Sequence, residues 1–108
     1  MAEPRAVVAL STVDAQPEAA RLAALLVEAR LAACVSVLPG VHSTFRWEGQ
    51  VATEHEYLLL IKTVEDRLPA LRERLTAEHP YDVPEFIVLS ALEVSASYLG
   101  WLEACTRP

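Results

Sequence analysis

The sequence contains few of the residues on which many catalytic and structural motifs depend. Its three glycines, Gly40, Gly49 and Gly100, are scattered, so they cannot form a loop that cradles phosphate groups. The two cysteines, Cys34 and Cys105, are too few for a disulfide-stabilised scaffold and lack the C-x-x-C spacing of metal or redox motifs. No G-x-S-x-G or H-E-x-x-H motif occurs, which leaves catalysis undecided but favours a function without it.

Basic residues and long apolar runs are also scarce. The chain has 9 Lys and Arg residues against 15 Asp and Glu residues, a net charge of −6 and a pI near 4.9. Because nucleic-acid binding needs a basic patch, nucleic acid is not an expected partner. No apolar run approaches the ~20 residues that cross a bilayer, and residues 1–10 do not resemble a secretory signal. We therefore expect a cytoplasmic chain without a membrane partner.

Hydrophobic residues, by contrast, make up 53% of the 108 residues. The length predicts one domain covering residues 1–108. A domain of this size buries only about two-thirds of the surface that its unfolded chain exposes. With such a high apolar content, a single copy should leave apolar surface uncovered, and self-association is a common way to cover it. The chain is therefore expected to be its own partner.

The spacing of apolar residues predicts strands and helices in the order β-α-β-β-α-β-α. Pro39-Gly40 is expected to interrupt the second strand with a bulge, and Glu48-Gly49 to form a two-residue hairpin turn. The predicted elements are a strand at 7–10, a helix from Pro17 through Ala29, strands at 33–47 and 51–63, a helix opened by a segment at 63–66 that resembles a capping box, a strand at 85–89 and a helix capped by Ser95 or Ser97.

This element order predicts an α+β fold, a ferredoxin-like split βαβ sandwich. Both main helices should cover one face of a single antiparallel sheet, and the two longest strands should form a long central hairpin. The other face of the sheet also needs cover in a chain this apolar. Either neighbouring subunits or the terminal helix can provide that cover.

A pair of histidines on the hairpin is a candidate metal site. If Glu48 and Gly49 are the turn residues, His42 lies directly opposite His55, with Cβ atoms ~4.5–5.5 Å apart. Two imidazoles at this distance can share one transition-metal ion. A change of register by one residue would separate them. The alternative interpretation is a pair of solvated histidines at a polar strand end.

Three further side chains carry candidate ligand chemistry outside the hairpin. Cys34, at the start of an apolar strand, is either a packed thiol or a metal ligand. His79 ends a helix, where a contact with the last carbonyls explains it as well as a metal does. Lys62, the only lysine, follows the most apolar strand segment and either reaches solvent or meets a carboxylate or an anionic ligand.

Five separated motifs together resemble the CutA family. They are C-V-S-V-L-P-G-V at 34–41, S-T-F-R-W-E-G at 43–49, I-K-T at 61–63, H-P-Y-D-V-P-E at 79–85 and Y-L-G-W at 98–101. They occur in the family's order and span nearly the whole chain. The resemblance implies a ferredoxin-like subunit in a compact homotrimer, with the long hairpin reaching neighbouring subunits. It also implies a role in divalent-cation tolerance, with copper or another divalent ion bound.

The resemblance further implies two sets of site residues. Cys34 and His79 match family positions that are discussed as metal contacts. Ser11 stands where some members have cysteine, which argues against a thiol-rich copper site, and the segment 93–97 departs from the usual lead-in to the last motif. A polar and aromatic set matches a cleft near the subunit boundary: Trp47, Lys62, Tyr81, Glu85, Tyr98 and Trp101.

The implied function is therefore that of a trimeric, copper-type divalent-cation-binding protein with an intersubunit cleft. Two alternatives stay open beside it. One is a structural or regulatory scaffold, and the other is a sensor of small metabolites related to trimeric ferredoxin-like signalling proteins.

Overall fold

The computed structural model describes residues 4–108, and its strands and helices follow the predicted order. A short 3-10 turn, Glu65–Arg67, joins the third strand to the second helix. None of the helices in this part of the chain is long and apolar enough to cross a membrane. The main elements are β1 (Ala6–Val13), α1 (Gln16–Glu28), β2 (Cys34–Trp47), β3 (Gln50–Val64), α2 (Leu68–Glu78), β4 (Ile87–Ser90) and α3 (Ala96–Cys105).

The strands form one antiparallel sheet in the order β2-β3-β1-β4. The central strands β1 and β3 pair from Ala6 opposite Val64 to Val13 opposite Tyr57. β1 and β2 run in the same direction with β3 between them, which is the split βαβ arrangement. The predicted α+β fold with a ferredoxin-like topology is therefore confirmed.

The face of the sheet that carries α1 and α2 forms the main core. Alternate side chains of β1 and β3 point to this face, and apolar side chains of both helices pack on them. Both main helices therefore cover one face, as the connection rules predict. The core members that are at most 1% exposed include Ala9, Val13, Leu22, Leu26, Leu59, Ile61, Leu71 and Leu75.

The opposite face, which we call the open face, is covered by a helix at one end. There α3 packs on it through Leu102, which clusters with Ala6 and Val64. Ile87 and Leu89 of β4 lie on the same face and remain 50% and 51% exposed. The terminal helix therefore covers only part of this apolar surface. Other apolar side chains on the open face are Val8, Leu10, Leu38, Leu58 and Leu60.

The β2–β3 hairpin carries the two irregularities that the sequence predicts. Glu48 and Gly49 form its turn with φ angles of 50° and 78°, as a type I′ turn requires. A bulge interrupts the pairing between Leu38 and Val41, and Gly40 within it has a φ of 73°. Because the turn fixes the register from Val41 outward, the pairing of the outer hairpin is the predicted one.

Several element boundaries differ from the predicted ones. β1 runs from Ala6 to Val13 rather than over 7–10, because its pairing with β3 continues to Val13. β3 continues through Val64, and the hydroxyl of Thr63 donates to the carbonyl of Leu31 at 2.8 Å instead of capping a helix. The predicted capping box is wrong because pairing of Val64 with Ala6 extends the strand. β4 begins at Ile87 rather than at position 85, since pairing with β1 starts only there.

Candidate ligand cleft

A cavity of about 600 Å³ lies between the β2–β3 hairpin and the segment that joins α2 to β4. The hairpin contributes both an aromatic and a carboxylate side, and the joining segment contributes the opposite wall. The end of β1 closes the cavity through Thr12. The polar and aromatic side chains that line it are Ser43, Thr44, Phe45, Trp47, Glu56, Tyr81, Asp82 and Glu85.

A hydrogen bond between Tyr81 and Glu56 connects the two walls. The phenol of Tyr81 donates to Oε2 of Glu56 at 2.7 Å, and Glu56 is only 7% exposed. Burial raises the pKa of the Tyr81 phenol, and the Glu56 carboxylate raises it further. The phenol therefore stays protonated at physiological pH and remains available as a donor.

His79 holds the beginning of the joining segment in place. Its Nε2 lies 2.9 Å from the carbonyl oxygen of Thr12, and its Nδ1 accepts from the backbone N–H of Tyr81 at 3.1 Å. Since Nδ1 is an acceptor, the ring is neutral and Nε2 carries the proton. Burial lowers the pKa of His79, which favours this neutral form.

Both ring nitrogens of His79 are thus engaged by the backbone, and its side chain is only 8% exposed. Binding a metal ion through either nitrogen would break one of these hydrogen bonds. In the single chain His79 therefore acts as a positioning residue for Tyr81. Its role as a metal ligand stays a prediction.

Glu85 gives the cavity a second carboxylate. Burial raises the pKa of Glu85, and the nearby charge of Glu56 raises it further. Among residues 4–108, no lysine, arginine or histidine forms an ion pair with either carboxylate. The cavity is therefore acidic and aromatic, which favours a cationic ligand over an anionic one.

Lys62 lies outside this cavity and contacts Cys34. The two residues are directly opposite in the β2–β3 pairing. The Lys62 ammonium donates to Oγ of Ser36 at 2.8 Å and lies 3.8 Å from Sγ of Cys34. A positive charge at this distance opposes a cation bound to the thiol and favours a bound anion. The prediction that Lys62 meets an anionic ligand therefore stays open.

The structure does not bring Cys34 and His79 together within one chain. Cys34 lies opposite Lys62, which in turn pairs with Val8 of β1. His79 contacts Thr12, four residues further along β1, which corresponds to roughly 13 Å. One copy of the chain therefore does not form a metal site from Cys34 and His79, and their joint role as metal ligands stays a prediction.

Tyr98 and Trp101 form the remaining part of the predicted cleft set. They lie on α3, whose N-terminus is capped as predicted by the Ser95 hydroxyl, which accepts from the Tyr98 N–H at 3.3 Å. Their ring centroids are 5.4 Å apart, and the residues are 38% and 45% exposed. The aromatic pair therefore faces away from the core and is free to contact a ligand or another copy.

The six predicted cleft residues thus fall into two groups at opposite ends of the open face. Trp47, Tyr81 and Glu85 line the cavity. The second group, Lys62, Tyr98 and Trp101, lies at the end covered by α3. Along β3, Lys62 is six residues from Glu56, which is roughly 20 Å. Within a single chain the six predicted residues therefore do not line one common cavity.

The structure confirms that His42 lies opposite His55, with ring centroids 4.3 Å apart. Both histidines are exposed on the outer hairpin. Within residues 4–108, no group of three or more His, Cys, Asp or Glu side chains is arranged to hold a metal ion. The histidine pair therefore has no third protein ligand in the single chain.

Ser11 lies in the core of the domain and does not line the cavity. Ser11 is fully buried on the helix-covered face, and its hydroxyl has no hydrogen-bond partner in the described part of the chain. A cysteine at this position would therefore face the core rather than the cavity.

Glu56 lines the cavity, although it was not among the predicted site residues. The signal that identifies it is alternation, because Glu56 shares a face with Leu58 and Leu60 of β3.

Comparison with known proteins agrees with this fold. The family model described as "CutA1 divalent ion tolerance protein" matches residues 7–105. The divalent-cation tolerance protein CutA of Thermus thermophilus is 46% identical over 99 residues, covering 92% of this chain and 96% of that protein. Its solved structure superposes with a TM-score of 0.91, covering 94% of this chain and 99% of the other. The chain therefore belongs to the CutA1 divalent ion tolerance protein family.

Two other relatives add information on location and ligands. The chloroplastic CutA 1 protein of Oryza sativa is 45% identical over 101 residues, and this chain spans 57% of its length. CutA of Synechococcus elongatus, solved in complex with a Bis-Tris molecule, is 38% identical with a TM-score of 0.87. That superposition covers 97% of each chain.

Proposed function

We propose that this chain is a divalent-cation-binding tolerance protein that works as a homotrimer with a ligand cleft between neighbouring copies. The observation that carries the proposal is the division of the six cleft residues into two groups at opposite ends of one apolar sheet face. A second copy placed on the open face can bring the Lys62 end of one chain to the Tyr81 end of another. The cleft is then complete only in the assembly.

The exposed apolar side chains of the open face support self-association. Ile87 and Leu89 remain half exposed although they extend the sheet surface next to buried β1. Contacts between unlike ends of the same subunit generate closed rings when the rotation closes. Three copies is the number that the family resemblance implies.

The cavity supports a cation as the ligand. Glu56 and Glu85 supply two carboxylates, and the lining hydroxyl groups supply further oxygen donors. Among first-row divalent ions, Cu²⁺ binds most nitrogen and oxygen sites more tightly than its neighbours. We therefore propose Cu²⁺ as the divalent ion of highest affinity and as the first ion to test.

Equilibrium dialysis with Cu²⁺ tests the cleft. The double variant Glu56→Gln, Glu85→Gln keeps both side-chain shapes and should lower Cu²⁺ affinity at least about tenfold. The matched control is Glu28→Gln, Glu73→Gln, which makes the same charge change at exposed helix positions. Equal losses in both variants would reduce the effect to net charge. Unchanged binding in the cleft variant would remove these carboxylates from the site.

Light scattering tests the assembly. The wild-type chain should have three times the mass of the 11.9 kDa subunit at micromolar concentration. Leu89→Asp places a charge on the open face and should give a smaller species, whereas Glu73→Asp on α2 should leave the mass unchanged. A folded wild-type monomer at this concentration would contradict the trimer and the shared cleft together.

A second candidate function is the binding of a small organic cation in the same cleft. Aromatic side chains beside carboxylates that form no ion pair within residues 4–108 make a suitable site for a protonated amine, and Phe45, Trp47 and Tyr81 supply the aromatic surface. The Synechococcus elongatus relative with Bis-Tris, an amine that carries several hydroxyl groups, favours this candidate. Because Bis-Tris itself binds Cu²⁺, direct calorimetric titration with Bis-Tris in metal-free solution decides the question. Binding to the wild-type chain that Trp47→Ala weakens would support the organic cation, and equal binding to both chains would contradict it.

We also propose a cytoplasmic location. Both Cys34 and Cys105 are unpaired, which suits a reducing compartment. Fractionation of cells that express the tagged full-length chain tests this location, and recovery in a secreted or organellar fraction would contradict it.

A further inference from the structure

The outer hairpin places two imidazoles side by side at a position that the cleft does not use. His42 and His55 are directly opposite across the hairpin, with ring centroids 4.3 Å apart and ring planes inclined by 45°. Two nitrogens bound to one tetrahedral ion at about 2.0–2.1 Å lie about 3.4 Å from each other. Small side-chain rotations are sufficient to bring one nitrogen of each ring to this separation.

The backbone on both sides of the pair holds it in register. The next pair on the same face, Thr44 and Thr53, is joined by a hydroxyl–hydroxyl hydrogen bond of 3.0 Å. The type I′ turn at one end and the bulge at the other end limit sliding of the strands. The two rings therefore need little ordering on binding, which lowers its entropic cost.

The surroundings select the class of ligand. Side chains alternate along a strand, so Glu54 and Glu56 point to the face opposite His55. Glu56 is in addition bonded to Tyr81. Without a carboxylate on this face, the site lacks the oxygen ligands that Mg²⁺ and Ca²⁺ require. Neutral imidazoles suit Cu²⁺, Ni²⁺ and Zn²⁺, and the exposed position leaves the remaining coordination sites to water.

We infer that His42 and His55 form a second, surface-exposed site for one divalent transition-metal ion. This inference deepens the proposed divalent-cation function by naming a ligand pair and an ion class. Both ligands come from one chain, so the site does not depend on the trimer or on the cleft. Binding across the two strands should also stabilise the hairpin, because a ligand that binds only the folded state raises its stability.

Calorimetric titration with Ni²⁺ tests the site in the full chain, with the Glu56→Gln, Glu85→Gln background used to separate it from the cleft. His42→Asn and His55→Asn should each lower Ni²⁺ affinity at least about tenfold, and the double variant should lose this site. Val51→Asn is the matched control, because it introduces the same residue at an exposed position on the same face, and it should keep binding. Mg²⁺ should not bind at this position in any variant.

Electron paramagnetic resonance of one equivalent of Cu²⁺ gives a readout of the ligands themselves. The cleft-variant background should show coupling to two imidazole nitrogens, and each single histidine variant should show one fewer. Unchanged affinity and an unchanged nitrogen count in both histidine variants would overturn the inference. If instead the histidine variants lose a site while the carboxylate variant retains full Cu²⁺ binding, the proposed cleft fails and the surface site stands.

Discussion

The two faces of the sheet have similar patterns of apolar side chains but differ in how far those side chains are buried. On the helix-covered face, Leu59 and Ile61 are fully buried under α1 and α2. On the open face, Leu58 and Leu60 of the same strand are only partly buried, and Leu89 is half exposed. The same strands thus complete one hydrophobic core within the chain and leave a second apolar layer partly exposed. Under the proposed function, fold stability and ligand binding are therefore assigned to different faces.

The polar side chains follow the same division. Glu56 and Lys62 lie on the open face, and each has a partner there, Tyr81 for the carboxylate and Ser36 for the ammonium. Polar groups on a partly buried face require such partners because an unpaired buried polar group costs about 1–3 kcal/mol. The polar side chains of the open face are therefore satisfied within the chain, although its apolar side chains stay partly exposed.

The largest expected contrast comes from truncating one leucine on each side of the sheet. Leu26→Ala on α1 should lower the free energy of unfolding by about 2–5 kcal/mol, because it leaves a cavity in the main core. Leu89→Ala on the open face should act mainly through the assembly, so its effect on the melting temperature should depend on protein concentration. Thermal unfolding over a hundredfold range of concentration measures both. A Leu89→Ala effect independent of concentration would contradict the division between the faces.

Local features of the fold could be predicted from the sequence because their causes lie within a few residues. The Glu48-Gly49 turn sets the hairpin register, and that register alone places His42 opposite His55. Boundaries decided by distant partners could not be predicted in the same way. Val64 stays in β3 because it pairs with Ala6, which is 58 residues earlier in the sequence.

The same limit applies to the candidate site. The motif at 79–85 indicated Tyr81 and Glu85 through the family resemblance, but burial of Glu56 depends on a hydrogen bond from Tyr81, 25 residues away. The split of the six cleft residues into two groups also follows from the topology, because α3 packs at one end of the open face. Periodicity within one strand gives the face on which Glu56 lies, but it does not give the partner that covers Glu56 or the position of α3.

The Tyr81–Glu56 hydrogen bond is expected to give the second largest effect. Tyr81→Phe leaves a 7% exposed carboxylate without its donor and should cost about 1–3 kcal/mol of stability. Chemical denaturation measures the change, and Tyr57→Phe in β3 is the matched control. If both variants have equal stability, the Tyr81–Glu56 hydrogen bond does not contribute to the free energy of unfolding. The difference in stability contribution between the helix-covered face and the open face is then larger than we infer.

Protonation of His79 should weaken the junction between β1 and the cleft wall. Burial lowers the pKa of His79 in the folded chain below its ordinary value of 6.5, so the unfolded chain binds the proton more tightly. The stability that it contributes is present above pH 6.5 and is lost as the pH falls through the folded pKa, by at most about 1.4 kcal/mol per pH unit. Burial and the Glu56 charge raise the pKa of Glu85, which acts in the opposite direction on acidification.

Comparison with His79→Gln isolates the histidine, since the variant retains Glu85. Denaturation between pH 7.5 and pH 5.5 should show a steeper loss of stability in the wild-type chain than in the variant. Identical slopes would mean that the neutral ring between Thr12 and Tyr81 is not what holds the cleft wall at neutral pH.

The smallest expected effect concerns the helix-covered side of the sheet. It tests whether the stability contributed by this side is independent of self-association. Arg30 follows α1 with a φ of 59°, a left-handed conformation that glycine adopts without steric cost. Arg30→Gly should therefore raise the free energy of unfolding by about 1 kcal/mol. Arg72→Gly, at a helical position in α2, is the control and should be destabilising instead. Because neither position lies on the open face, both shifts should be the same at every protein concentration, and a concentration-dependent shift for Arg30→Gly would show that the assembly also involves the helix-covered side.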